Sequence, residues 1–132
     1  MSQSGSSDVT TDEATIDEAL RFGGIALPSS ATVLGVQHDK GLDQRYRLAI
    51  RVDSNSIETL LSGSGFTTSL EPDSGPFMAP VDGFDLATAA TVSSTSDTLA
   101  PHSERTSTVF RRVAVDYSDP AAPVVHLWLF TT

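Results

Sequence analysis

Cysteine is absent from the 132 residues of this chain. Disulfides, thiolate nucleophiles and cysteine-ligated zinc are therefore excluded, and the redox compartment is left open. Lysine is almost absent as well: Lys40 stands alone beside seven arginines, against 17 acidic residues. With a formal net charge of −9 and a pI near 4.4, the surface repels phosphate backbones and anionic lipid, which argues against nucleic acid as a partner. No stretch approaches the roughly 20 consecutive apolar residues of a membrane-spanning helix, so direct membrane insertion of the domain is not expected. The first residues do not carry the charged-then-apolar profile of an export signal.

Catalytic and cofactor motifs are equally scarce. No GxSxG elbow occurs, and serine is too common for a Ser–His–Asp proposal to rest on composition. SGSGF and DSGPF are too short for phosphate loops, since neither follows a strand and opens a helix. Asp82 and Asp85 in VDGFD lack the alternating oxygen ligands of a calcium loop and read as a turn. His38, His102 and His126 share no i, i+2 or i, i+4 spacing, so neither a metal site nor a cofactor is expected. His38 and His102 read as solvated and His126 as a packed strand histidine.

What is present is structural patterning. Length points to one domain. Residues 1–11, MSQSGSSDVTT, have little to bury and read as disordered. They suit either a frayed terminus or a tether following a lipidated or cleaved signal. Residues 12–22 read as a surface helix. Thr10 and Glu13 offer a capping box, Ile16, Ala19 and Leu20 form an apolar stripe, and Gly23 serves as a left-handed stop.

Residues 31–62 form the most regular block. Thr32–Val36 is a β-branched strand, and Asp39, Lys40 and Gly41 supply turn chemistry. The next strand alternates, with Tyr46, Leu48, Ile50 and Val52 on one face and Arg45, Arg47, Ala49 and Arg51 on the other. One face is therefore expected to be buried and the other wet. Asp53 or Asn55 is placed to cap a helix carrying Ile57, Leu60 and Leu61, with Gly63 or Gly65 ending it.

From residue 66 to 107 periodicity dissolves, and Pro72, Pro76, Pro80 and Pro101 punctuate a long loop. Phe66, Phe77, Met78, Phe84 and Leu86 argue that its first half packs down, whereas TVSSTSDT at 91–98 reads as mobile. Strands return at Val109–Tyr117 and Val124–Phe130, joined by SDPAAP. The last is apolar on both faces, so it is either central or has the 66–107 loop lying across it.

The candidate functional surface is locally basic, with Lys40, Arg45, Arg47 and Arg51 against Asp43. If the hairpins pair, Arg45, Arg47 and Arg51 share a face with His126 and Trp128, a cation–π arrangement common at binding hot spots. The alternative is that these arginines solvate an open face and guard an edge.

LPSSATVLGVQHDKGLDQRYRLAIRVDSNSIETLLSGSGF resembles a pattern in small exported proteins and lipoproteins of actinobacteria, carried here by Leu27, Pro28, Ala31, Gly41, Asp43 and Ser64 to Phe66. The VDYSDPAAPVVHLWLF ending is also similar to theirs. The arginine-over-lysine bias agrees with a high-GC bacterium, although a halophile would also favour acid over lysine. The resemblance implies extracytoplasmic placement, with an N-terminal lipid as anchor, and supplies no activity.

The resulting expectation is an α+β domain over residues 12–132. It has a four- to five-stranded antiparallel sheet built from two hairpins, with a 53–62 helix packed on one face and the N-terminal helix alongside. Functionally it reads as a non-enzymatic binding domain for a protein or cell-envelope ligand. The alternatives are a small hydrolase with its site under the 66–107 loop and His126 as base, or a cytoplasmic acidic inhibitor or immunity-type protein.

Overall fold

The computed structural model describes residues 8–40, 44–73, 75, 77–86, 91–101 and 107–131. Its elements are α1 (Glu13–Gly23), β1 (Thr32–Lys40), β2 (Gln44–Arg51), α2 (Ile57–Gly63), β3 (Glu71–Pro72), β4 (Val92–Leu99), β5 (Val109–Asp116) and β6 (Val124–Phe130). The fold is α+β, as expected. All the strands join one antiparallel sheet of order β1-β2-β6-β5-β4-β3. The sheet is larger than the four or five strands anticipated, with six. The addition comes from the serine- and threonine-rich stretch expected to be mobile: Val92–Leu99 is β4, paired along its whole length with β5. Near-edge strands take polar side chains as protection against aggregation, so composition alone makes β4 look like loop.

Helix ends are set differently from expectation. Asp12, not Thr10, caps α1: its carboxylate accepts from the Thr15 N–H at 3.1 Å, and Thr10 Oγ1 accepts from the Asp12 N–H at 3.1 Å. Gly24 rather than Gly23 takes the left-handed conformation, with φ 62°. Gly23 is needed for closeness instead, since a Cβ there would lie 2.5 Å from Leu129 Cδ1. Neither Asp53 nor Asn55 caps a helix through its side chain; a 3-10 turn at Ser54–Ser56, opened by the Ser56 N–H to Asp53 carbonyl bond at 2.9 Å, delivers the chain into α2.

Both helices pack on the same face. Tyr46, Leu48, Ile50, Val113, Val115, Val125, Leu127 and Leu129 meet Ala19, Ile57, Leu60, Leu61 and Phe66 there. Amid this apolar layer lies Arg111, 1% exposed. Its Nε and Nη2 donate to the two Asp97 oxygens at 2.7 and 2.6 Å, and its Nη1 donates to the carbonyls of Gly23 at 3.0 Å and Ser64 at 2.7 Å. The guanidinium carbon stands 3.9 Å from the Phe66 ring centroid. Helix C-termini leave unpaired carbonyls and a negative dipole end; one cation here serves the ends of both helices.

α1 is fixed a second time near its middle. The Tyr46 hydroxyl donates to Glu18, and the His38 ring stacks on Tyr46 at 4.0 Å with Nδ1 3.5 Å from the same carboxylate. Burial, reinforced by Glu18, pushes the Tyr46 pKa up, so the phenol stays neutral. At the outer edge of β1, Thr10 makes an isolated antiparallel bridge with Val36, through bonds of 3.0 and 2.9 Å. Residues 1–7 of the expected tether lie outside the described residues.

Replacing Arg111 by Met strands Asp97 and two helix-end carbonyls. The expected loss is about 3–5 kcal/mol, the cost of breaking a buried ion pair from one side. Gly23→Ala, which forces a shift of Leu129, is expected to cost about 1–3 kcal/mol. Urea denaturation followed by far-UV circular dichroism measures both. An Arg111→Met midpoint equal to the parent's rules out the clamp as an organising contact.

Candidate functional site

The opposite face of the sheet carries different chemistry. Strand register sets its side chains in rows that cross the strands. One row runs Asp39, Arg45, Phe130, Phe110, Thr98; the next runs Gln37, Arg47, Trp128, Arg112, Ser96; a third runs Gly35, Ala49, His126, Ala114, Ser94. The pairing of the hairpins thus brings Arg45, Arg47, His126 and Trp128 onto one face, and Arg51 lies a row further on, opposite Val124.

The face is not wet, contrary to the expectation from β2 alone. Residues 77–86 form a strap across it. Trp128 Nε1 donates to the Ala79 carbonyl at 2.9 Å, and Arg47 Nη1 donates to the Pro80 carbonyl at 2.9 Å. Gln37 grips the strap's turn from both sides, donating to Asp82 Oδ2 at 3.1 Å and accepting from the Asp82 N–H at 2.7 Å. The turn itself needs Gly83, at φ 92°. Met78 and Leu86 pack with Trp128, Ala114 and Val92, and Phe77 lies 5.5 Å from the Arg112 guanidinium.

Under this cover Arg47 is 7% exposed, His126 2% and Trp128 0%, while Arg51 is exposed and Arg45 sits half-buried at the rim. An open arginine–tryptophan patch is therefore not what the fold builds. Arg47 is held from below as well, with Nε and Nη2 donating to Asp39 at 2.9 and 3.1 Å; Arg45 Nε shares that carboxylate at 3.0 Å. Arg45 and Arg47 thus meet at the Asp39 carboxylate, which ties the rim to the covered part of the face. Beside it, Phe110 and Phe130 stack at 5.5 Å and are both partly accessible.

Two buried polar atoms on this face have no hydrogen-bond partner among the described residues: His126 Nδ1 and Arg112 Nε. His126 stands between Ala49 and Ala114 on the flanking strands, small residues that fill little of the space around the imidazole. Burial lowers its pKa from 6.5 to about 4, with the Asp116 carboxylate opposing the shift. Among the described residues Arg112 donates from Nη2 to Asp73 Oδ2 at 2.9 Å. The Ser94 hydroxyl and the Gly75 N–H hold the Asp73 carboxyl below its ordinary range, with Arg112 adding to the effect.

His126 does not have the setting of a general base. A general base needs access to the proton that it removes and an orienting partner; His126 is sealed, neutral and, among the described residues, bonded to neither a carboxylate nor a hydroxyl through Nδ1. Among the described residues no group of three or more His, Asp or Glu could hold a metal ion, and no helix is long and apolar enough to cross a membrane. What the face does present is a set of donors aimed at main-chain carbonyls. Sequence reasoning missed Asp39 as an anchor, Arg112 with Asp73, and the carbonyls of Ala79 and Pro80. The available signal was the set of apolar residues Phe77, Met78, Phe84 and Leu86, which argue that a segment read as loop packs down.

His126 makes stability depend on pH with a defined sign. Above about 6.5 it is neutral folded and unfolded. As pH falls towards 4 the unfolded chain takes up a proton that the folded one refuses, so stability declines across that window by on the order of 3 kcal/mol. His126→Leu is expected to flatten the decline, read as urea midpoints at pH 7, 5.5 and 4; parallel profiles for parent and variant would show that His126 is not its source. Comparison of the chain with protein-family models, curated proteins and solved structures found no match.

Proposed function

We propose that this chain is a non-enzymatic binding domain of an extracytoplasmic, actinobacterial lipoprotein-like protein, held near the cell surface through its N-terminal residues and engaging a protein or cell-envelope ligand. One observation carries the binding part: a single sheet face gathers Arg45, Arg47, Trp128, Phe110 and Phe130 in adjacent rows, half-open at the rim. Arginine and large aromatics concentrate binding energy because they combine area, rigidity and directional donors. Placement outside the cytoplasm is supported by the small polar run at residues 1–11 and by the resemblance to exported actinobacterial proteins. The sealed state of His126 weighs against the hydrolase alternative.

The acidic-inhibitor alternative draws on the net charge of −9 and makes a different demand, since binding through long-range charge weakens steeply with salt. Purified domain on a resin, challenged with envelope and cytoplasmic fractions of an actinobacterium, separates the two. The expected result is retention of an envelope component that survives 0.5 M salt and falls at least tenfold with Arg45→Glu. Retention that disappears with salt and ignores Arg45→Glu overturns the proposal in favour of the inhibitor.

A further inference from the structure

Resting on the binding reading, we propose that strap residues 77–81 are an intramolecular stand-in for the ligand, and that the face beneath them recognises an extended, proline-containing polypeptide segment. The strap is then an autoinhibitory contact that a partner displaces.

The chemistry of the contact points to the occupant. Trp128 and Arg47 donate to successive carbonyls, those of Ala79 and Pro80. Proline has no N–H and fixes its own φ, and it restricts the residue before it to extended conformations. A segment built around it presents carbonyls outward with no internal hydrogen bonds to break and little entropy left to lose, which is why proline-rich stretches dock on aromatic-lined grooves. An indole N–H on the carbonyl just before a proline is a contact of that kind.

Cover alone does not require this face. The helix side of the same sheet is sealed chiefly by Leu, Val and Ile, whereas the strap meets Arg47, Trp128 and Arg112. The strap also leaves part of the face unserved. His126 Nδ1, in a residue 2% exposed, and Arg112 Nε have no partner among the described residues. Each such buried group costs about 1–3 kcal/mol. An extended backbone alternates N–H and C=O, so a segment that runs past Trp128 to Arg112 in the same row and reaches His126 in the next supplies an acceptor for Arg112 Nε and a hydrogen-bonding partner for His126 Nδ1. That difference favours exchange of the strap for a better-fitting segment. The strap is also bounded by glycines at positive φ, Gly75 at 91° and Gly83 at 92°, positions where the chain turns sharply.

Trp128 is the only tryptophan, so its fluorescence and indole N–H resonance report this contact without labels. The probe is a capped peptide copying residues 77–82, with a control in which the proline is replaced by glycine. Asp82→Ala, which removes a carboxylate held by Gln37, loosens the strap. Gly83→Ala is a second loosening variant, because its Cβ meets nothing within 4 Å and strain arises only from φ 92°. The peptide is expected to shift the Trp128 signals of either variant at concentrations at least tenfold lower than for the parent, and the glycine control to bind severalfold more weakly. No shift at millimolar peptide in a variant that keeps the parent's far-UV spectrum overturns the proposal, as does equal binding of peptide and control. Such a failure beside intact Arg45-dependent retention discards the strap mechanism and leaves the binding reading standing. Peptide binding without Arg45-dependent retention does the reverse.

Discussion

The fold turns on one buried cation. Arg111 is almost fully withdrawn from water, and its bonds reach Asp97 on β4, the last carbonyl of α1 and the carbonyl of Ser64 just past α2. A guanidinium in such surroundings is tolerable only when its donors are used and its charge is met. Those conditions are satisfied only when β4, β5, α1 and α2 are all in place. The interaction therefore adds specificity to a core whose bulk stabilisation comes from aliphatic burial. It also accounts for an otherwise unpromising strand: β4 has few apolar side chains, yet Asp97 binds it to the layer above.

Arg111 and Arg112 are consecutive in a strand and so point to opposite faces. Each meets an aspartate, Asp97 on the helix side and Asp73 on the strap side. The two environments differ in completeness. Arg111 is bound from all sides by elements of regular structure, whereas Arg112 shares Asp73 with Ser94 and leaves Nε unpartnered among the described residues. One face of the sheet is finished and the other is provisional, and the provisional face carries the tryptophan, the strand histidine and the second buried arginine.

The parts legible in sequence are those decided locally. The alternation of Tyr46, Leu48, Ile50 and Val52 places the core face of β2, and the two-faced apolarity of residues 124–130 calls for a strand that is either central or covered; β6 is both. Remote partners decide the remainder. Arg47 has the pattern of a solvated residue and is buried because Asp39, assigned to a turn, stands in register on β1, and because two loop carbonyls arrive from some thirty residues on. β4 is invisible because its hydroxyl side chains carry no hydrophobic period, and its pairing with β5 supplies the order that composition lacks. The site residues were thus identifiable as neighbours, while their exposure depended on a strap with no periodicity of its own.

The position of β6 carries a consequence for how the molecule is made. It is the last strand in the chain yet lies between β2 and β5, so neither half of the sheet touches the other without it. During synthesis the β1–β2 hairpin and the β4–β5 pair emerge as separate, incompletely buried pieces, and every contact that unites them spans a long stretch of sequence. Such non-local closure is slow. Until β6 is in place the two pieces of the sheet stay apart, each with an unpaired edge where β6 belongs.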